Sequence, residues 1–181
     1  MIKTKLGLNS VVFAVALVTA IGCSSYDPGR ADVARQEIDA TIGRFKANDP
    51  GINRFFKNAY GYAVFPTIGR GAVAVGGAYG SGYVYEQGRA VGSAQLYQGS
   101  IGLQLGAQSY SQIIFFESKT SLDRFKAGKL EFSARASAVV ATTGAAAEAA
   151  YENGVAVFVL VQGGLMGEAA IGGQSFKYSP Y

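Results

Sequence analysis

AVAVGGAYGSGYVYEQGRAVGSAQLY, residues 72 to 97, decides the fold class of this chain. Its apolar and polar residues alternate with period two, and tyrosine and valine recur where a pleated, half-buried strand accepts bulky or branched side chains. Glycines punctuate the run, so it reads as short strands over 72–79, 83–86 and 90–97 joined by tight turns. The same reading extends on both sides, to strands over 63–65, 101–108 and 112–116, and later 130–138, 155–161, 165–171 and 174–178. Asn153-Gly154 is a hairpin-type turn signal. Residues 141–150 are ambiguous, since alanine favours helix while Thr-Thr-Gly and Tyr-Glu-Asn-Gly flank them, and they are read as strand.

Helical period precedes this region. Ala34, Ile38, Thr41, Ile42 and Phe45 form one stripe, with Arg35, Asp39 and Lys46 beside it. Asn48-Asp49-Pro50-Gly51 interrupts the helix, and Pro50 opens a second one capped by Asp49. Ile52, Phe55, Phe56 and Ala59 share one of its faces, and Arg54, Lys57 and Asn58 the other. A third helix over 118–126 has Leu122 and Phe125 three apart and Ser118 or Thr120 as cap. The expected fold is α+β: two N-terminal helices on a Gly-rich, mostly antiparallel sheet or barrel, with one inserted helix.

The start of the chain reads differently. Lys3 and Lys5 precede an apolar run from Val11 to Gly22, broken early by Asn9 and Ser10, too short for the roughly 20 residues of a permanent span. Cys23 follows Ala20-Ile21-Gly22 and resembles the lipobox of lipoproteins, although Ala20 stands where leucine is usual. The expected organisation is a signal peptide over 1–22, a lipidated tether over 23–30 with the acyl groups on Cys23, and one domain over 31–181. Ser24, where retention signals often have aspartate, points by that resemblance to the outer membrane, facing the periplasm.

Removing residues 1–22 leaves 159 of 181 residues, a length suited to one core, and lowers the net charge from +4 to +2. Bulk charge therefore gives no case for nucleic acid. Histidine is absent and cysteine occurs once, which removes the usual general base, thiol nucleophile and commonest transition-metal ligands. The chain is read as non-enzymatic, without cofactor or metal. The glycine clusters lack the Gly-Lys-Ser/Thr of a phosphate loop and the strand-turn-helix of a dinucleotide fingerprint, so close packing and turns explain them. Glu117 and Glu168 are the candidates for a partly buried acid, each with strand-end pairing as the plainer explanation.

Five blocks, AYGYAVFP (59–66), VGGAYGSGYVYEQG (75–88), SIGLQLGAQSYSQIIFFES (100–118), LDRFKAGKLEFSARASAV (122–139) and NGVAVFVLVQGGLMGEAAIGGQSFKY (153–178), resemble the SYLF family in order and spacing. That resemblance covers nearly all of residues 31–181. It implies binding of acidic membrane lipids, with an amphipathic helix and basic residues involved, actin binding in some eukaryotic members, and no catalytic activity. Phosphatidylglycerol, cardiolipin or lipid A are the acidic lipids a periplasmic protein meets.

Basic residues cluster in two places. Lys119, Arg124, Lys126 and Lys129 face Asp123 alone, and the second helix adds Arg54 and Lys57. Near an anionic bilayer each contributes about 1 kcal/mol, and a lipid anchor raises the local concentration of surface. These six are the candidate headgroup contacts. The first helix, with Ile38, Ile42 and Phe45 as its large apolar residues, is the candidate membrane-proximal element, although so narrow a stripe equally suits a cover for the sheet. An envelope scaffold binding another protein, or a carrier of a small apolar ligand, stays open beside headgroup binding.

Overall fold

The computed structural model describes residues 28–70, 77–99, 109–130, 137–162, 169–170 and 173–181. Cys23, the signal, the tether as far as residue 27, the strand expected over 101–108, Glu168, and most of the strands expected over 72–79, 130–138 and 165–171 lie outside the described residues.

Helix α1 (Pro28–Asn48) begins three residues before the expected domain start. A single 3-10 turn (Pro50–Ile52) links it to α2 (Asn53–Asn58). Asp49 caps that turn as expected, accepting the Gly51 N–H at 3.0 Å, and its other carboxylate oxygen accepts the Ala146 N–H at 2.5 Å. A residue legible as a local cap therefore also ties the N-terminal helices to a segment nearly a hundred residues away.

Eight strands follow: β1 (Gly61–Arg70), β2 (Ala78–Glu86), β3 (Arg89–Gln98), β4 (Ser109–Phe116), β5 (Ser137–Val140), β6 (Val155–Gln162), β7 (Ala169–Ala170) and β8 (Gln174–Pro180). They form one sheet in the order β7-β5-β6-β4-β1-β2-β3-β8. All described pairs are antiparallel except β5 with β6. Helix α3 (Lys119–Lys126) leaves the end of β4 behind the expected Ser118 cap, which accepts the Ser121 N–H.

Three expectations are corrected. Strand β1 does not stop at Phe65; it runs through Pro66 by a register shift between Val64 and Thr67, since a bulge relieves the missing proline N–H. The Pro66 carbonyl there accepts the Ser111 hydroxyl at 2.6 Å. Gly80 and Gly82 do not turn the chain but sit inside β2, where a Cβ on Gly82 would stand 2.4 Å from the Val64 carbonyl oxygen. Residues 145–148 form a short helix, α4 (Ala145–Glu148), entered through Gly144 at φ +88°, so alanine propensity prevails over the flanking turn signals. The hairpin turn Asn153-Gly154 is as expected, with φ +52° and +80°.

The sheet is curled rather than flat. Seven strand spacings of about 4.8 Å would set the β7 and β8 edges some 34 Å apart. Only residues 171–173 join those two edges, a reach of roughly 14 Å. The edges form no described ladder with each other, so the sheet stays open.

The concave side is lined by Phe65, Leu96, Ile114, Phe116 and Phe176, with Leu122 and Phe125 of α3 packed against them. Toward the far end of β4 this lining turns polar. Gln112 and Gln174 exchange two amide hydrogen bonds of 3.0 Å, Tyr110 donates to Gln98 at 2.8 Å, and all four side chains are buried. Strands β4 and β8 are four positions apart in the sheet, so the Gln112–Gln174 pair crosses the concavity directly. The convex side carries Val64, Ile113, Phe115 and Phe158 under α1 and α2.

Candidate functional site

Helix α1 turns Ile38, Thr41 and Phe45 inward, with Ile38 at 1% exposure and Phe45 at 0%. Ile42 is partly buried in the same cluster. Burying Phe45 alone is worth about 2–3 kcal/mol, so this stripe serves the fold by covering the sheet. Among the described residues no helix is long and apolar enough to cross a membrane.

The six cations separate into two groups, one on each side of the sheet. Arg54 and Lys57 lie on α2 over the convex side. Arg54 donates through one terminal nitrogen to the Ala146 carbonyl at 2.6 Å and to the Ala149 carbonyl, and its guanidinium lies 4.7 Å from the Phe55 ring centroid. It thereby caps the carboxyl end of α4, a role its sequence position could not disclose because the partners are more than ninety residues away. Lys57 is exposed and lines a shallow open depression with Asn53, Arg54 and Phe56. Lys46, at the end of α1, places its ammonium 4.7 Å over the Phe56 ring and joins this group.

The second group is carried by α3. Leu122 and Phe125 are fully buried, and the helix therefore presents its polar face outward. Lys119 pairs with Asp123 at 2.7 Å in an exposed i,i+4 contact, which holds its ammonium above the ordinary lysine range. Lys126 is committed to the fold: its ammonium lies 2.6 Å from Glu86 and 5.7 Å from the Tyr178 ring centroid, with the ion pair's side chains only 22% and 21% exposed. Glu86 also accepts the Tyr60 hydroxyl at 2.8 Å. The hydrogen bond from Lys126, then that from Tyr60, hold the Glu86 carboxyl below its usual range, and the same contact pushes Tyr60 up. Arg124 and Lys129 are exposed and form no ion pair among the described residues. Gly128, at φ +66°, ends the helix between them, and the Lys129 N–H returns to the Arg124 carbonyl at 2.8 Å. That bond keeps the two side chains on neighbouring turns.

Glu117 is exposed at the end of β4. Among the described residues no group of three or more acidic or cysteine side chains is placed to hold a metal. What α3 and its C-terminal turn offer is therefore a solvated donor surface, with two cations that have no ion pair among the described residues beside two internally paired ones.

A family model described as "Las17-binding protein actin regulator", Ysc84, matches residues 97–179, from the end of β3 to the end of β8. Residues 97–179 belong to the Ysc84, or SYLF, family. The chain is also similar to "Beta cell expansion factor A" of Aeromonas veronii, at 26% identity over 157 residues. That alignment covers 83% of the chain but 59% of the relative, so the chain spans less than two thirds of that protein's length. The matched SYLF segment contains α3, Arg124 and Lys129, whereas α1, α2, Arg54 and Lys57 precede it.

Proposed function

We propose that this SYLF protein is a non-enzymatic, membrane-held binder of acidic phospholipid headgroups. Acyl groups on Cys23 anchor it in the outer membrane, and the α3 surface contacts headgroup phosphates from the periplasmic side. The observation that carries the reading is the pair Arg124 and Lys129, which lie inside the SYLF segment, are exposed and have no carboxylate partner among the described residues. Lys119 joins them by exchanging Asp123 for a phosphate, since a solvent-screened i,i+4 pair on an exposed helix face contributes little. Lys57 and Lys46 give a second basic point at α2.

The filled concavity supports headgroup binding over an enclosed apolar cargo. Phe65, Phe116, Phe125 and Phe176 occupy one end of it and the hydrogen-bonded glutamines the other. Flotation of the chain lacking residues 1–23 with phosphatidylglycerol vesicles tests the reading. Binding to these and not to phosphatidylcholine vesicles is expected, and equal binding to both removes the electrostatic basis. Mass analysis of the native protein is expected to show a diacylglyceryl adduct at Cys23; an unmodified thiol there overturns the anchor.

A further inference from the structure

We propose that the convex face of β2, β3 and β8 is a saccharide platform, fitted to a glycan that carries anionic groups. The strand registers lay this face out in rows. Tyr79, Tyr97 and Ser175 are directly opposite one another across the three strands, and Ser81, Gln95 and Lys177 form the next row. Alternation puts all six on the side away from Leu96 and Phe176, and none is buried. The patch measures roughly 10 Å across three strands and 7 Å between rows.

Two features set it apart from an ordinary solvated sheet face. The Tyr79 hydroxyl is 2.9 Å from Ser81 Oγ, and the Tyr97 hydroxyl donates to Gln95 Oε1 at 2.9 Å. Because β2 and β3 are antiparallel, i to i+2 on one and i to i−2 on the other point the same way. Both rings therefore lean along their strands toward the second row, and the two hydrogen bonds hold them there. Their centroids are 5.3 Å apart and their planes tilted by 58°, so the pair offers a ring face and a ring edge together. Tyr97 remains 38% exposed. Rings pinned in this way lose little side-chain entropy on binding.

The second feature is composition. The six residues supply aromatic surface, hydroxyl and amide groups and a single formal charge, the Lys177 ammonium. No aliphatic side chain lies among them to favour an apolar helix, and no carboxylate to favour a basic partner. Sugar rings match this chemistry, since their C–H faces stack on aromatic rings and their hydroxyls exchange hydrogen bonds with serine and glutamine. Lys177 adds charge complementarity to a carboxylate or phosphate on the sugar. This platform is separate from α3, which lies on the concave side.

Saturation-transfer NMR on the full chain in a polyoxyethylene detergent tests the proposal, with trigalacturonate, its methyl ester and the non-sugar anion tricarballylate as probes. Saturation is expected to reach the ring C–H protons of trigalacturonate, with weaker transfer to the ester and none to tricarballylate. Tyr97→Ala, at an exposed position, is expected to weaken trigalacturonate binding at least fivefold. Lys177→Gln is expected to erase the preference for acid over ester, and Arg124→Gln to leave both probes unchanged. Absence of transfer to the sugar, equal binding of tricarballylate, or affinities unmoved by both platform variants overturns it. So does crosslinking from Tyr97 to a protein in place of sugar binding, which reassigns the face to a protein partner.

Discussion

Gln174→Leu tests how the curled sheet is held across its concavity. In the native chain Gln174 and Gln112 exchange two hydrogen bonds of 3.0 Å, at 4% and 0% exposure. Replacing one partner leaves the Gln112 amide nitrogen and oxygen buried with nothing to pair with there. Each orphaned buried group costs about 1–3 kcal/mol, so the single variant is expected to lose about 2–6 kcal/mol. That is a large share of the 5–15 kcal/mol typical of a domain. Gln174 also donates at 3.3 Å to Gln98 Oε1 and to the Tyr110 hydroxyl, but Tyr110 keeps its own bond to Gln98 at 2.8 Å, so the groups left without a partner are those of Gln112. The double variant Gln112→Leu/Gln174→Leu removes both partners, keeps similar volume, and is expected to recover most of the loss. Urea unfolding of the two singles and the double forms a cycle whose coupling energy is expected to exceed about 2 kcal/mol. A single variant costing under about 0.5 kcal/mol, or a double equal to the sum of the singles, refutes a direct bond across the sheet.

Glu86 sets the first of the remaining expectations. Its carboxyl is held below its usual range by Lys126 and Tyr60, so the stabilisation is complete above the unfolded value and fades as pH falls through the folded one. The stability gap between the native chain and Glu86→Gln should narrow from about pH 6 to pH 3; a gap that widens on acidification contradicts the ion pair. Gly82→Ala places a Cβ 2.4 Å from the Val64 carbonyl oxygen, and should cost about 1–3 kcal/mol in thermal or urea unfolding where a glycine serving only as a turn would cost less. Asp49→Ala removes acceptors from Gly51 and Ala146 together and should cost about 2 kcal/mol. It should also raise amide exchange at residues 145–148, and exchange unchanged there sinks the proposed tie between the helices.

Local chemistry was the legible part of this chain. The α1 stripe, the Asp49-Pro50 start, the Ser118 cap and the Asn153-Gly154 turn are each settled by neighbours within a few residues, and all are found. Glycine was legible in kind and not in place. Gly80 and Gly82 allow close approach to β1 inside one strand, and spacing alone cannot distinguish that from a turn. Sheet order was not legible, because β4 returns to pair with β1, and β5 and β6 lie parallel around α4. The candidate site was half legible for the same reason. The charge count on α3 is local, but which cations remain free depends on Glu86, forty residues from Lys126.

That division between free and committed cations is tested most directly by vesicle binding of two variants. Arg124→Gln/Lys129→Gln removes two cations worth about 1 kcal/mol each near an anionic surface, and is expected to weaken binding to phosphatidylglycerol vesicles about 30-fold. Lys126→Gln is expected to bind those vesicles as the native chain does, while losing stability through the unpaired Glu86 carboxylate. Equal loss of binding in both variants, or none in either, contradicts the account.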